Sequence, residues 1–178
     1  SMEPPRHGVV MFNVHASGSR EMMRQTVAAV NRVCRTEKLR RPHILGVTVL
    51  TSLSAADLRT IGVRSRIEDQ VVRLASLAEG AGMDGVVASP LEIAAIRKAC
   101  SRRFLIVTLG IRSAGDEIGD QRRVSGPAEA IERGADYIVV GRPIRDAVDP
   151  RAAAEDIVGE IAAVVAPPQL RSTSRKSR

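Results

Sequence analysis

The chain has 178 residues, 44% of them hydrophobic and 2% aromatic, which is enough for one domain with a sizeable core. It has neither the roughly 18 consecutive apolar residues of a membrane helix nor a basic-then-apolar secretion signal, so we expect a cytoplasmic protein with no membrane partner. The net charge of +7 includes four charges from a Ser-rich tail, and the scarcity of aromatic residues for base stacking argues against nucleic acid as a partner.

Five apolar runs of strand length recur along the chain, and they are continuous rather than alternating, as in strands buried on both faces. They predict strands at residues 9–14, 44–50, 85–88, 104–108 and 137–140. Helical segments separate these runs, so the unit of strand and then helix is repeated. Such repeats predict an α/β fold in which a parallel sheet is joined by right-handed crossovers.

Capping patterns indicate where several helices begin. A serine stands three residues before an acid in Ser54-Ala-Ala-Asp57, Ser65-Arg-Ile-Glu68 and Ser89-Pro-Leu-Glu92. An apolar stripe at helical spacing follows the second pattern and consists of Ile67, Val71, Leu74, Ala75 and Ala78. The last helix is predicted to begin at Asp149-Pro150 and to end before Pro167-Pro168.

The chain divides into three predicted segments. Residues 1–7 are interpreted as a tag-cleavage scar and lead-in, residues 8–166 as the β/α domain, and residues 167–178 as a basic disordered tail. A closed (β/α)₈ barrel needs eight units and about 250 residues, so five units predict either a small open sheet or the C-terminal part of a barrel. In both folds, ligands bind beyond the carboxyl ends of the strands.

The cysteines and histidines give no sign of a metal site. Cys34 and Cys100 fall on predicted helices without C-x-x-C spacing, so we expect buried thiols rather than a disulfide or a thiolate site. The three histidines, His7, His15 and His43, lack metal-ligand spacing, and we predict no metal. His15 ends the first strand and is expected to be a hydrogen-bonded core residue.

Three segments around the last two strands predict a phosphate site: 106–112 (IVTLGIR), 119–124 (GDQRRV) and 137–144 (YIVVGRPI). A phosphate is bound by backbone N–H groups, a glycine that permits close approach and a forked cation. Gly141 has no Cβ, so a ligand can lie against the main chain, and Arg142 follows it directly. We expect the loop from 113 to 125 to close over the ligand and bring Gln121 to the anion.

Six segments, in order and spacing between Gly8 and Ala163, resemble the orotidine-5′-phosphate decarboxylase family. They are 13–18 (NVHASG), 47–52 (VTVLTS), 85–90 (GVVASP), 108–112 (TLGIR), 119–121 (GDQ) and 140–144 (VGRPI). The resemblance implies a TIM (β/α)₈ barrel that converts orotidine monophosphate (OMP) to uridine monophosphate (UMP) and CO₂ in pyrimidine biosynthesis. It also implies that no metal or organic cofactor is used, that the small-molecule partner is OMP or UMP, and that the protein is a homodimer.

Carried over position by position, the resemblance implies that Gln121, Gly141 and Arg142 hold the phosphate. It places Arg112 near the same loop and Thr51 on the pyrimidine side of the ligand. These five residues are the substrate-binding residues that we predict.

The chain departs from the family pattern in one important respect. The resemblance begins at what would be the fourth of eight strands, and the family's catalytic D-x-K-x-x-D run is absent from these 178 residues. The lysines are Lys38 in a pre-proline turn, Lys98 on a helix and Lys176 in the tail. Leu109 stands where the family usually has proline. We therefore predict no catalytic residue here and no activity for this chain alone.

Two other functions remain compatible with the residues. One is a non-catalytic phosphate- or nucleotide-binding module, in which a second copy covers the open edge of the sheet. The other is a different phosphate-binding barrel enzyme that acts on a sugar phosphate, because a glycine and an arginine at a strand end are less specific than the whole pattern.

Overall fold

The computed structural model describes residues 3–112 and 125–165 and contains a five-stranded parallel sheet. The strands are β1 (Met11–His15), β2 (His43–Val47), β3 (Gly85–Ala88), β4 (Leu105–Thr108) and β5 (Tyr137–Ile138). They lie side by side in the order of the sequence. The predicted α/β class and the five predicted strands are confirmed, although β1 begins at residue 11 rather than 9, β2 ends at residue 47 rather than 50, and β5 is two residues shorter than expected.

Seven α-helices connect and cover the strands in the described parts of the chain. They are α1 (Arg20–Glu37), α2 (Ala55–Thr60), α3 (Ile67–Gly80), α4 (Ile93–Ala99), α5 (Pro127–Glu132), α6 (Arg142–Arg145) and α7 (Pro150–Val165). Short 3₁₀ helices occur at Pro4–His7, Ala16–Gly18 and Pro90–Glu92. None of the described helices is both long and apolar enough to cross a membrane.

The capping predictions were right for α2 and wrong for α3. Ser54 and Asp57 form the expected reciprocal capping box. At α3 the residue before the first turn is Arg66, which makes no side-chain cap, and the Ser65 hydroxyl lies instead 3.4 Å from the Gln70 amide oxygen. Propensity alone could not place this boundary, because one residue of shift moves Ser65 out of reach of the free N–H groups.

The sheet separates two apolar layers. On the outer face, helices α1 and α3 pack on the strands through fully buried residues such as Met23, Val71 and Ala78. The predicted stripe on α3 is confirmed, with Val71, Leu74, Ala75 and Ala78 buried. The inner face carries a smaller cluster, formed by Leu45, Val47, Val87 and Val107 with Met11, Leu105 and Leu109 against it. Side chains alternate between these two layers along each strand.

Two aspartates fasten neighbouring strands at the amino end of the sheet. Asp84 precedes β3, accepts from the backbone N–H of Ile44 at 2.7 Å and pairs with Arg41 at 2.8 Å. Asp136 precedes β5, accepts from the N–H of Ile106 at 2.7 Å and pairs with Arg97 at 2.6 Å. Each carboxylate therefore satisfies a strand-opening N–H and an arginine at once.

The two outer strands leave apolar side chains exposed. Val10 precedes β1 and is 57% exposed, Tyr137 in β5 is 44% exposed, and Val139 directly after β5 is 52% exposed. The 3₁₀ helix Pro4–His7, part of the predicted lead-in, is tied to α1 by the ion pair between Arg6 and Glu37. The predicted tail at 167–178 lies outside the described residues, and homodimer formation stays a prediction.

Candidate functional site

The candidate site lies at the carboxyl ends of the parallel strands. In this fold every strand runs from the amino end to the same edge, and the segments after β2, β4 and β5 carry four of the five predicted site residues. They are Thr51, Arg112, Gly141 and Arg142. The fifth, Gln121, lies between 113 and 124 and is outside the described residues.

Gly141 is exposed and sits at the end of the β5 segment. A Cβ placed on it would meet no protein atom within 4 Å, and its φ of −107° is not one that requires glycine. No neighbouring protein atom therefore explains a glycine at this position. The open space above its Cα is available to a ligand.

Arg142 is half-buried in the first turn of α6, directly after Gly141. Its charge contributes to the low pKa of Asp146, which is depressed mainly by the hydrogen bond from Arg145. Arg145 pairs with Asp146 at 2.6 Å and is largely exposed. Arg145 is thus engaged with Asp146, and Arg142 is the arginine that directly follows Gly141.

Arg112 and the loop after β4 are fixed by a short backbone bridge. The N–H of Arg112 donates to the carbonyl of Ser125 at 3.0 Å, and the N–H of Ser125 donates to the carbonyl of Gly110 at 3.3 Å. Gly110 has a φ of +81°, a left-handed conformation that glycine adopts without strain. This bridge holds together the two ends of the segment that contains Gln121.

Glu129 anchors the far side of this bridge. It accepts a hydrogen bond from the Ser125 hydroxyl and pairs with Arg133 at 2.6 Å. The hydrogen bonds from Ser125 and then Arg133 lower the pKa of the Glu129 carboxyl. The carboxylate is therefore ionised at neutral pH and steadies the entry of the loop.

Thr51 lies in the turn that follows β2, where the N–H of Leu53 donates to the carbonyl of Leu50 at 3.0 Å. Only 2% of Thr51 is exposed. Two other hydroxyls near the strand ends are also buried: Thr48 donates to the carbonyl of Val87 at 2.9 Å, and Ser89 accepts from the N–H of Leu91. These three hydroxyl-bearing residues are therefore buried at the carboxyl end of the sheet.

The structure corrects the interpretation of His15. This residue is exposed at the carboxyl end of β1 and is not part of the core. Its strand is at the edge of the sheet, so no further strand in the described residues covers it. Strand-end position was visible in the sequence, but exposure depends on which strands are neighbours.

The amino end of the sheet has different chemistry. A cavity of about 310 Å³ opens there between residues that include His43, Glu79 and Asp84. Burial, followed by the charge of Glu79, raises the pKa of the nearby Cys100 thiol to about 11. Both cysteines are free thiols, and a protonated thiol is a poor nucleophile.

Comparison with known proteins places these features in a family. Residues 5–157 match the model of the orotidine 5′-phosphate decarboxylase / HUMPS family. An orotidine 5′-phosphate decarboxylase of Geobacter sulfurreducens is 52% identical over 163 residues, covering 92% of this chain and 67% of that protein. One of Moorella thermoacetica is 53% identical over 157 residues, covering 88% of this chain and 62% of that protein.

Solved structures agree with the fold. The crystal structure of an orotidine 5′-phosphate decarboxylase from Lactobacillus acidophilus is similar with a TM-score of 0.71 and 37% identity, over 86% of this chain and 64% of that one. An uncharacterised conserved protein from Geobacillus kaustophilus has a TM-score of 0.72 and 31% identity, over 88% and 66% of the two chains. The chain thus spans about two-thirds of the length of the relatives that it matches.

Proposed function

Because the chain belongs to the orotidine 5′-phosphate decarboxylase / HUMPS family, we propose that it forms the phosphate-binding part of a site that converts OMP to UMP and CO₂ in pyrimidine biosynthesis. The observation that carries this proposal is the family match over residues 5–157, which includes the open glycine and the adjacent arginine at the end of β5. Relatives that are half identical are named for this activity.

The proposed site binds the nucleotide by its phosphate. Arg142 supplies a forked cation, and Gly141 lets the anion approach the main chain. Gln121 and Arg112 complete the phosphate side, and Thr51 lies on the pyrimidine side. Phosphate binding holds the substrate in one orientation, and binding energy from this remote group contributes to reaching the transition state.

Decarboxylation leaves an electron pair on the ring carbon that loses CO₂, and this carbon must then receive a proton. The lysines in the described residues are Lys38, at the end of α1, and Lys98, in the last turn of α4. Both are exposed, and both lie where a helix ends near the amino end of the sheet. Neither stands at a strand end where the ring would lie. We therefore propose that this chain binds the nucleotide without turning it over by itself.

Titration calorimetry with UMP tests the phosphate assignment. Each charge-assisted hydrogen bond contributes about 1.5–3 kcal/mol, so Arg142→Ala should weaken UMP binding roughly 10- to 100-fold. Arg6→Ala is the matched control, because it removes the same charge from the 3₁₀ helix Pro4–His7, before β1 at the amino end of the sheet, and should leave the affinity unchanged. Equal affinities for wild type and Arg142→Ala would refute the phosphate site.

The same titration separates the proposal from its alternatives. Binding of UMP well above inorganic phosphate supports a nucleotide site, whereas equal binding of the two indicates a general phosphate module. Preference for a pentulose phosphate over UMP would indicate a sugar-phosphate enzyme. An assay for CO₂ release from OMP should give no turnover with the purified chain.

A further inference from the structure

The inner face of the sheet is apolar on its central strands and polar on β1. Leu45, Val47, Val87 and Val107 are buried there, and Met11 packs against them at the start of β1. Because side chains alternate, Asn13 and His15 share this face with Met11, while Phe12 and Val14 pack into the outer layer. Both polar residues are exposed.

The backbone at His15 is held by the neighbouring strand β2 and by the turn that follows β1. His15 is in register with Val47 of β2, and the next residue, Ala16, is fully buried against the sheet. Beyond the short turn, the Ser19 hydroxyl accepts from the N–H of Met22 and caps α1. The imidazole therefore projects from a rigid position at the last residue of the strand, which suits a side chain that orients a ligand.

Two other polar side chains near this edge, Thr48 and Ser89, have partners within the protein. The hydroxyls of Thr48 and Ser89 are buried and bond to backbone groups of β3 and of the turn after it. His15 is instead exposed, and it is the last residue of β1, at the edge of the sheet where a ligand at the strand ends would lie. An imidazole offers both a donor and an acceptor, which matches the carbonyl, N–H and hydroxyl groups of a nucleoside.

We infer that His15 hydrogen-bonds the nucleoside part of the bound nucleotide, while Gly141 and Arg142 hold its phosphate. β1 and β5 are the two outer strands of the sheet, so the two groups bind from opposite edges of one face. A nucleotide has its phosphate and its base at opposite ends. This inference rests on the proposed function, because it assigns a second contact to the same ligand.

Imidazole spectra of the ¹⁵N-labelled full chain test the inference directly. The chain has only three histidines, and the other two, His7 and His43, lie at the amino end of the sheet or before it. Addition of UMP should shift the His15 signals and leave those of His7 and His43 in place. Addition of inorganic phosphate should leave all three unchanged.

Calorimetry on substituted chains supplies the second measurement. His15→Leu should weaken UMP binding about 3- to 10-fold, as expected for one neutral hydrogen bond, and leave phosphate binding unchanged. His15→Gln should restore part of the loss because the amide keeps a donor and an acceptor. His43→Gln is the control and should bind UMP as the wild type does. Unchanged phosphate binding also shows that each variant is folded.

The outcomes distinguish the two proposals. If UMP binds in an Arg142-dependent manner but neither shifts His15 nor responds to His15→Leu, the inference about His15 is wrong and the proposed function stands. If UMP binding does not depend on Arg142, or UMP does not bind, the proposed function fails and the inference fails with it. A His15 shift caused by inorganic phosphate would also overturn the inference.

Discussion

The variant Gly141→Ala tests whether the glycine at this position is required for ligand binding or for folding. An added methyl group at Gly141 would meet no protein atom within 4 Å. Removing the conformational freedom of glycine from the unfolded chain changes stability by about 1 kcal/mol or less. The methyl group would, however, occupy the space next to the main chain where the phosphate is proposed to lie. We therefore expect wild-type stability with at least about 10-fold weaker UMP binding, or 1.4 kcal/mol.

Two further glycines supply the comparison. An added Cβ at Gly85 would collide with the carbonyl oxygen of Leu105 and lie 2.6 Å from its Cβ, on the adjacent strand β4. Strands β3 and β4 would have to separate, so Gly85→Ala should destabilise the fold by about 3 kcal/mol or more. Gly159 is exposed within α7 and a methyl group there meets nothing, so Gly159→Ala should be neutral or slightly stabilising.

Urea unfolding and UMP titration of the three variants form one experiment. Gly141→Ala and Gly159→Ala should have the same urea midpoint of unfolding. Gly141→Ala should bind UMP more weakly than Gly159→Ala does. If Gly141→Ala binds UMP as tightly as the wild type, no ligand lies against this residue. If Gly141→Ala unfolds as readily as Gly85→Ala, the reasoning from open space is wrong.

Three other measurements test the fold and its surface. Asp136→Ala leaves the buried N–H of Ile106 and the Arg97 guanidinium without their carboxylate, so it should lower the free energy of unfolding by about 2–3 kcal/mol. Asp136→Asn keeps an acceptor and should lower the free energy of unfolding by less. Equal effects of the two variants would contradict the role of the charge. Because the pKa of Cys100 is raised to about 11, the rate of its alkylation, followed by peptide mass spectrometry, should keep rising to that pH; a midpoint near the ordinary cysteine value of about 8.5 would contradict the burial argument. The exposed edge residues predict self-association, so light scattering should give twice the monomer mass, and Val10→Lys should reduce it, whereas a monodisperse monomer would refute the homodimer.

The order of the strands, and the placement of Thr51, Gly141 and Arg142 after their carboxyl ends, were predictable from the sequence, whereas the binding roles of these residues stay predictions. Continuous apolar runs indicate strands buried on both faces, and short sequential connections lead to consecutive neighbours in a parallel sheet. Gly141 and Arg142 were identifiable because a glycine and an arginine directly follow an apolar run. Such signals are local: each needs only a few adjacent residues.

The tertiary structure decided what depends on distant partners. Asp84 and Asp136 each follow a glycine stop in the sequence, but their bonds to Ile44 and Ile106 span 40 and 30 residues. His15 was expected in the core and is exposed, and Thr51 is buried although it lies in a turn. Exposure is set by which elements lie beside a residue after folding. A local pattern therefore determines the strand and its alternating faces, while packing determines whether a face meets protein or solvent.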